Sequence, residues 1–417
     1  MDNKIRRAIL VSVCERGSEL DRCNRSLDEL ERLLETAGGE CYARVVQIKD
    51  SQDARTVIGS GKVSELRSLC YSTGCELVVF DTSLTPMQIR NLEDELGEVD
   101  VIDRSMLILD IFALHASSAE GKLQVELAQL KYTAPRLVGK GAALSRQGGG
   151  IGSRGPGETK LEIDRRHLRE RIATLEERLR QIENNRNTMR SARDDSGLAK
   201  LAVVGYTNAG KSTLLNYLTG AGVLAEDKLF ATLDSTTRRL TLPAGETVLI
   251  TDTVGFIRKL PHHLIEAFKS TLDEVRYADL LIIVSDITDP EVLEHIEVTE
   301  GLISELGAED KPRIYVYNKA DSDAASYAIP RENTVVISAR SGAGVDKLLS
   351  LIEKLLSERK TRASLLIPYS EQRHLSALYE KASVLSVDYL DAGILVKCII
   401  DKKDFGFYKR FVFSEED

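Results

Sequence analysis

Along the first hundred positions, short apolar β-branched runs alternate with amphipathic stretches, the order expected of a parallel α/β sheet. Residues 8–13, 43–48 and 77–80 are expected strands, while residues 27–34, 63–69 and 87–96 space their apolar side chains as helices do. From Ser105 the period changes, and Leu109, Phe112, Ala116, Leu123, Leu127 and Leu130 mark one side of a single long helix. Leu168, Ile172, Leu175, Leu179, Ile182 and Met189 form a heptad stripe flanked by Arg and Glu. The two stripes predict an antiparallel helical hairpin. Between them, residues 139–157 hold eight glycines together with Lys140, Arg146 and Arg154, with Lys160 just beyond. So little apolar surface cannot order itself, which predicts a flexible basic loop able to pair with phosphates.

After a hinge at residues 194–197, expected strands at 201–204, 240–242, 247–251, 280–284, 314–317 and 335–337 alternate with helices, except for a hairpin turn at 243–246. That order predicts a mostly parallel sheet with one antiparallel strand. Residues 362–417 read as a small α+β module: strand 365–368, helix 371–381 and a hairpin of 384–390 with 394–401. Its Lys402, Lys403, Lys409 and Arg410 beside Phe405, Phe407, Tyr408 and Phe411 fit a solvated edge over a core better than an RNA-stacking surface. The expected fold class is thus α/β, in four parts: an N-terminal parallel α/β subdomain (1–104), the helical hairpin (105–195), a larger α/β domain (196–361) and the C-terminal α+β domain (362–417).

The chemistry enters at the start of the larger domain. Gly205, Tyr206, Thr207, Asn208, Ala209, Gly210, Lys211, Ser212 and Thr213 match G-x-x-x-x-G-K-[ST] at a strand-to-helix junction, where backbone N–H groups converge on phosphate oxygens. Lys211 supplies a point charge and Ser212 a hydroxyl for Mg2+. The similar Gly59-Ser60-Gly61-Lys62 has Thr56 and Val63 at the required Gly and Ser/Thr positions, and reads as a turn opening a helix. Asp252, Thr253, Val254 and Gly255 supply D-x-x-G after a strand, with Asp252 placed to order Mg2+ through water and the Gly255 N–H to sense a γ-phosphate. Asn318, Lys319 and Asp321 end a later strand at the carboxyl edge of the sheet. A carboxylate there accepts from both the N1–H and the exocyclic amine of guanine, whereas adenine offers an acceptor at N1 and no amine, so GTP is expected over ATP. Ser338, Ala339 and Arg340 would add a backbone contact to the base.

Composition narrows the setting. A chain of 417 residues suggests about three domains. No apolar run approaches the roughly 18 residues of a membrane span, and residues 1–13 lack a cleavage site, so a cytoplasmic location is expected, with peripheral membrane contact left open. The six cysteines include no C-x-x-C pair and are expected to be reduced. A net charge of −9 conceals a basic stretch, since residues 131–195 carry 15 Lys and Arg against 9 Asp and Glu. That asymmetry points to RNA.

Taken in order, these motifs describe a GTPase, and the residues around them narrow it further. The segments 124–130 (QVELAQL), 148–159 (GGGIGSRGPGET) and 230–234 (FATLD) resemble the HflX family of ribosome-associated GTPases over about residues 5–360. The resemblance implies a factor for GTP/GDP with Mg2+ that binds the large ribosomal subunit and its RNA, splits ribosomes after stress and points its N-terminal domain at the peptidyl transferase centre. It also implies that Phe230, Ala231 and Thr232 belong to the nucleotide site, with Thr232 closing on Mg2+ beside Ser212, so that Lys211, Thr232 and Gly255 carry the chemistry. The chain is expected to act as a monomer. A GTP-dependent switch that recruits RNA or protein without splitting ribosomes is the alternative. Phe256 stands where many GTPases place a water-orienting glutamine. Slow hydrolysis, stimulated when the ribosome reorders residues 255–264, is the expected consequence. Asn208 is either a K+ ligand, as in some related GTPases, or an asparagine chosen for its turn.

Overall fold

The computed structural model describes residues 6–16, 20–146, 156–194, 198–220, 228–230, 232–261, 264, 268–323 and 331–413. The chain divides into two compact units. One comprises residues 1–182 together with 226–234 and 254–271; the other comprises 183–225, 235–253 and 272–417.

The first unit opens with β1 (Arg7–Glu15), α1 (Leu20–Thr36), β2 (Glu40–Lys49), α2 (Ser60–Thr73), β3 (Leu77–Phe80), α3 (Pro86–Leu96) and β4 (Asp100–Asp103). The strands form a fully parallel sheet in the order β2-β1-β3-β4. Its interior is Ile9, Val11, Val78 and Phe80 against Leu66, Ile89 and Leu92, the apolar positions that the periodicity marks. Gly59 is the N-cap of α2, so the 59–62 stretch is the helix-opening turn expected of it. Cys14 and Cys23, expected as free thiols, are bonded to each other: β1 and α1 bring their Cα atoms to 6.2 Å. Among the described residues Cys41, Cys70, Cys75 and Cys398 are free.

The single long helix expected from Ser105 is two helices, α4 (Arg104–His115) and α5 (Ala119–Arg146). The Ser118 hydroxyl accepts from the Gly121 N–H at 2.8 Å and starts a new helix there. The apolar spacing from Leu109 and Phe112 through Ala116 to Leu123 and Leu127 runs across this break and hides it. α5 continues through Gly139 and Gly141 to Arg146, so the first part of the expected flexible loop is helical. Residues 147–155 lie outside the described residues. The next helix, α6 (Pro156–Asp194), keeps the heptad: Leu175 is buried and Leu168, Ile172, Leu179 and Ile182 are half-buried among exposed neighbours. Glu126 pairs with Arg171 at 2.6 Å and Lys131 with Glu176 at 2.7 Å, linking α5 and α6.

The second unit contains β5 (Lys200–Gly205), α7 (Lys211–Thr219), β6 (Thr236–Thr241), β7 (Thr247–Asp252), α8 (Lys269–Tyr277), β8 (Leu280–Asp286), α9 (Val292–Glu305), β9 (Arg313–Asn318), β10 (Thr334–Val336) and α10 (Val345–Glu358). The first three residues of α8 belong to the other unit. The six strands run in the order β10-β9-β8-β5-β7-β6, parallel except for the antiparallel β6–β7 pair around the 243–246 turn. Val203, Ile282, Val284, Ile314 and Val316 form its core with Leu348 and Ile352 of α10. β11 (Lys360–Ile367), α11 (Arg373–Lys381), β12 (Ser383–Leu390), β13 (Gly393–Asp401) and α12 (Lys402–Tyr408) follow, with the antiparallel sheet ordered β11-β13-β12. Tyr408 and Phe411 join its core while Phe407 is exposed, which fits the solvated-edge reading for the former pair.

Candidate functional site: a nucleotide loop at the carboxyl edge of the sheet

The loop between β5 and α7 is shaped by residues that tolerate unusual backbone. Gly205 has φ +147°, and a Cβ there would stand 2.1 Å from the Val284 carbonyl oxygen. Gly210 has φ +93°, and a Cβ would stand 2.2 Å from Asn318 Nδ2. Only glycine fits either place. Asn208 takes φ +60°, a conformation asparagine adopts more readily than most residues. Tyr206 stacks on His295 of α9, with ring centroids 3.7 Å apart.

Lys211 opens α7 and is buried, its Nζ donating to the carbonyl oxygens of Gly205 (3.1 Å) and Tyr206 (2.7 Å). Burial pulls its pKa down to about 8, against the opposing pull of Asp252. In the nucleotide-free protein the ammonium therefore loses its proton as pH rises through that value, whereas bound phosphates would restore it. Nucleotide binding then takes up a proton at high pH. GDP affinity should fall above pH 8 by up to about tenfold per unit and stay level below it. Fluorescent-GDP titrations from neutral to alkaline pH check this; a flat affinity would contradict it.

Asp252 ends β7 with no solvent exposure. Its Oδ2 accepts from the Ser212 hydroxyl at 2.6 Å, while its Oδ1 is buried without a hydrogen-bond partner. Burial pushes the Asp252 carboxyl up, opposed by Lys211, the Ser212 hydroxyl and the Thr253 N–H. A buried carboxylate oxygen lacking a donor is a costly feature unless something supplies one. A Mg2+-bound water meets that need, so this pair fits the hydrated ion. The Thr207 hydroxyl is likewise buried without a partner.

The segments around Asn318 and Ser338 converge on the same loop. Asn318 donates from Nδ2 to the Ala209 carbonyl at 2.9 Å and accepts at Oδ1 from the Ala339 N–H at 2.8 Å. One amide thus ties the phosphate loop, the end of β9 and the 338–340 turn together. Lys319 has φ +65° and pairs with Asp286 at 2.7 Å. Asp321 is exposed, and the Ser338 hydroxyl first, then its own N–H, hold its carboxyl below the ordinary range, with Arg340 adding to the effect.

Other expected site residues sit elsewhere. Phe230, Thr232, Val254 and Gly255 belong to the first unit, and Ala231 lies outside the described residues. Phe230 is buried with its ring edge-on to Phe112 of α4 at 4.8 Å, and Phe268 meets Phe112 at 4.7 Å. Phe256 is fully buried, a side chain that holds its segment in place. Two ionic anchors of these segments were not visible in the sequence. Lys259, at φ +53°, reaches Asp81 at 2.6 Å, where Ser26 and Arg104 also bind the carboxylate. Asp234 is bound by Ser117 and Ser118; the serine pair is a cap signature that marks the start of α5 but not its distant partner.

Four family models match in succession between residues 24 and 402: GTP-binding GTPase N-terminal (24–113), GTP-binding GTPase Middle Region (115–193), 50S ribosome-binding GTPase (200–319) and HflX C-terminal domain (323–402). The last extends the likeness beyond residue 360. The chain is 51% identical to GTPase HflX of Caldanaerobacter subterraneus, covering 94% of this chain and 90% of that one. It is 44% identical to GTPase HflX of Escherichia coli, covering 87% of each. A GTP-binding protein of Sulfolobus solfataricus solved with GDP is 24% identical, with TM-score 0.43, over 85% of this chain and 99% of that one. Among the described residues no helix is long and apolar enough to cross a membrane. With 51% identity to GTPase HflX of Caldanaerobacter subterraneus over 94% of its length, and with family models along residues 24–402, the chain belongs to the HflX family of GTPases.

Proposed function

We propose that this GTPase is a cytoplasmic, monomeric factor whose nucleotide state controls docking of its basic helices α5 and α6 on RNA of the large ribosomal subunit, so as to split or rescue ribosomes under stress. The observation that carries the nucleotide half is Asp252, bound to Ser212 on one oxygen and lacking a donor on the other. The RNA half is supported by the basic excess of residues 131–195 and by the 50S ribosome-binding GTPase match.

Each part of the site has a defined task. N–H groups of the 205–212 loop and the start of α7 bind phosphate oxygens, and Lys211 exchanges its loop carbonyls for the β- and γ-phosphates. Ser212 and Thr232 hydroxyls would hold Mg2+, with Asp252 holding one of its waters. When bound, the ion neutralises charge that develops on the phosphate oxygens. Asp321 would read the guanine, and the Gly255 N–H would sense the γ-phosphate. Phe256 offers no group to orient water, so turnover is slow until the ribosome rearranges residues 255–264.

Pelleting the protein with large subunits in a GTP analogue and in GDP tests the proposal. Strong co-pelleting only with the analogue is expected; equal binding in both would reject nucleotide control. Asn208's turn conformation accounts for its identity without a cation. Equal hydrolysis in K+ and Na+ at matched ionic strength would leave it that role alone, and faster turnover in K+ would assign it the ion.

A further inference from the structure

Asp234 lies two residues beyond Thr232, and its carboxylate sits at the start of α5. Oδ2 accepts from the Ser117 N–H at 2.9 Å, the Ser117 hydroxyl at 2.6 Å and the Ser118 N–H at 2.7 Å. The Ser118 hydroxyl donates to Oδ1 and at the same time accepts from the Gly121 N–H. The residue that caps α5 therefore donates its hydroxyl hydrogen bond to Asp234, and a negative charge occupies the positive end of a 28-residue helix. The fit is close, since a Cβ at Gly121 would stand 2.5 Å from Asp234 Oδ1. Burial pushes the Asp234 carboxyl up, but the Ser117 and Ser118 hydrogen bonds outweigh it and leave the group below the ordinary carboxylate range. Upstream, Phe230 is fixed on Phe112. Thr232 is thus carried between an apolar anchor and an ionic one, both set on residues 112–121.

None of this is required for binding nucleotide, because Asp234 belongs to no phosphate, metal or base motif. We propose that Asp234 is a positioning residue for GTP hydrolysis: seated on the cap of α5, it sets where Thr232 is presented. α5 runs on from this cap to Arg146, so any displacement of the helix along its axis would move the Asp234 seat with it. The inference rests on the reading of Thr232 as the Mg2+ threonine.

The test uses the full chain with Asp234→Asn, Thr232→Ala, both together, and Ser117→Ala/Ser118→Ala. The readouts are single-turnover hydrolysis, fluorescent-GDP affinity and hydrogen exchange at residues 228–236. Asp234→Asn keeps the shape but weakens the seat. It should slow hydrolysis about tenfold or more, as misplacing a reacting group does. GDP affinity should hold within about twofold, since the loss falls on the reacting state. Exchange in 228–236 should rise, and the substitution should cost nothing further once Thr232 is alanine. The double serine variant should reproduce these effects and stands in if Asp234→Asn fails to fold. Wild-type hydrolysis in Asp234→Asn while Thr232→Ala is impaired, or full additivity of the two, overturns the positioning role. Wild-type hydrolysis in Thr232→Ala instead overturns the Mg2+ assignment beneath it, and the proposal falls with that premise.

Discussion

Asp321→Asn should convert the protein from a GTP-binding to a xanthosine-triphosphate-binding enzyme. The carboxylate accepts from two donors on guanine, N1–H and the 2-amino group. An asparagine amide can still accept from N1–H through its oxygen, but it presents N–H donors to the 2-amino group, which also donates. Xanthine carries a carbonyl at that position and so completes the pair. GTP affinity should fall by about a hundredfold or more, the scale on which a site built for a hydrogen bond rejects a ligand that does not make it. Asp321 is exposed without the base, so the substitution should leave folding unchanged and the loss should appear in binding alone. Competition of GTP and xanthosine triphosphate for fluorescent GDP reads the exchange of preference directly. Retention of GTP selectivity would remove Asp321 from the base site.

Gly210→Ala should weaken nucleotide binding about a hundredfold. The backbone there is left-handed at φ +93°, which costs a residue with a Cβ about 1–2 kcal/mol. The new methyl would also lie 2.2 Å from Asn318 Nδ2. Asn318 is rigidly placed, because the same amide bonds both Ala209 and Ala339, so it cannot yield without releasing the turn beneath the base. Each lost hydrogen bond adds about 1 kcal/mol. The free protein can relax its loop, so the penalty of about 3 kcal/mol is met on binding, where it corresponds to a roughly hundredfold weaker Kd. Isothermal titration with GDP measures it, and wild-type affinity would show that the loop binds nucleotide in a different conformation.

The phosphate loop, the D-x-x-G strand end and the N-K-x-D strand end were legible because each is a local pattern at a strand terminus. Chain order alone brings them to one edge of a parallel sheet. Binary patterning likewise yielded the strands and the α6 heptad. The break at Ser117 and Ser118 is hidden because the apolar period runs through it. The seat of Asp234 on that break joins residues more than a hundred positions apart, and nothing in the spacing of either segment encodes it. The same holds for Lys259 and Asp81. The basic loop was partly misjudged for a different reason: glycine lowers helix propensity but does not forbid helix, and α5 extends through Gly139 and Gly141.

These unforeseen contacts share a consequence. Residues 226–234 and 254–271, the stretches that flank Thr232 and Gly255, take their anchors from the N-terminal unit, whereas Lys211, Ser212, Asp252 and Asp321 belong to the other.

Single-turnover GTP hydrolysis by the full chain, with and without large ribosomal subunits, bears most directly on whether this is a partner-gated GTPase. Slow turnover alone and an acceleration of about tenfold or more by the subunits are expected. Fast hydrolysis by the isolated protein, unchanged when subunits are added, would contradict it.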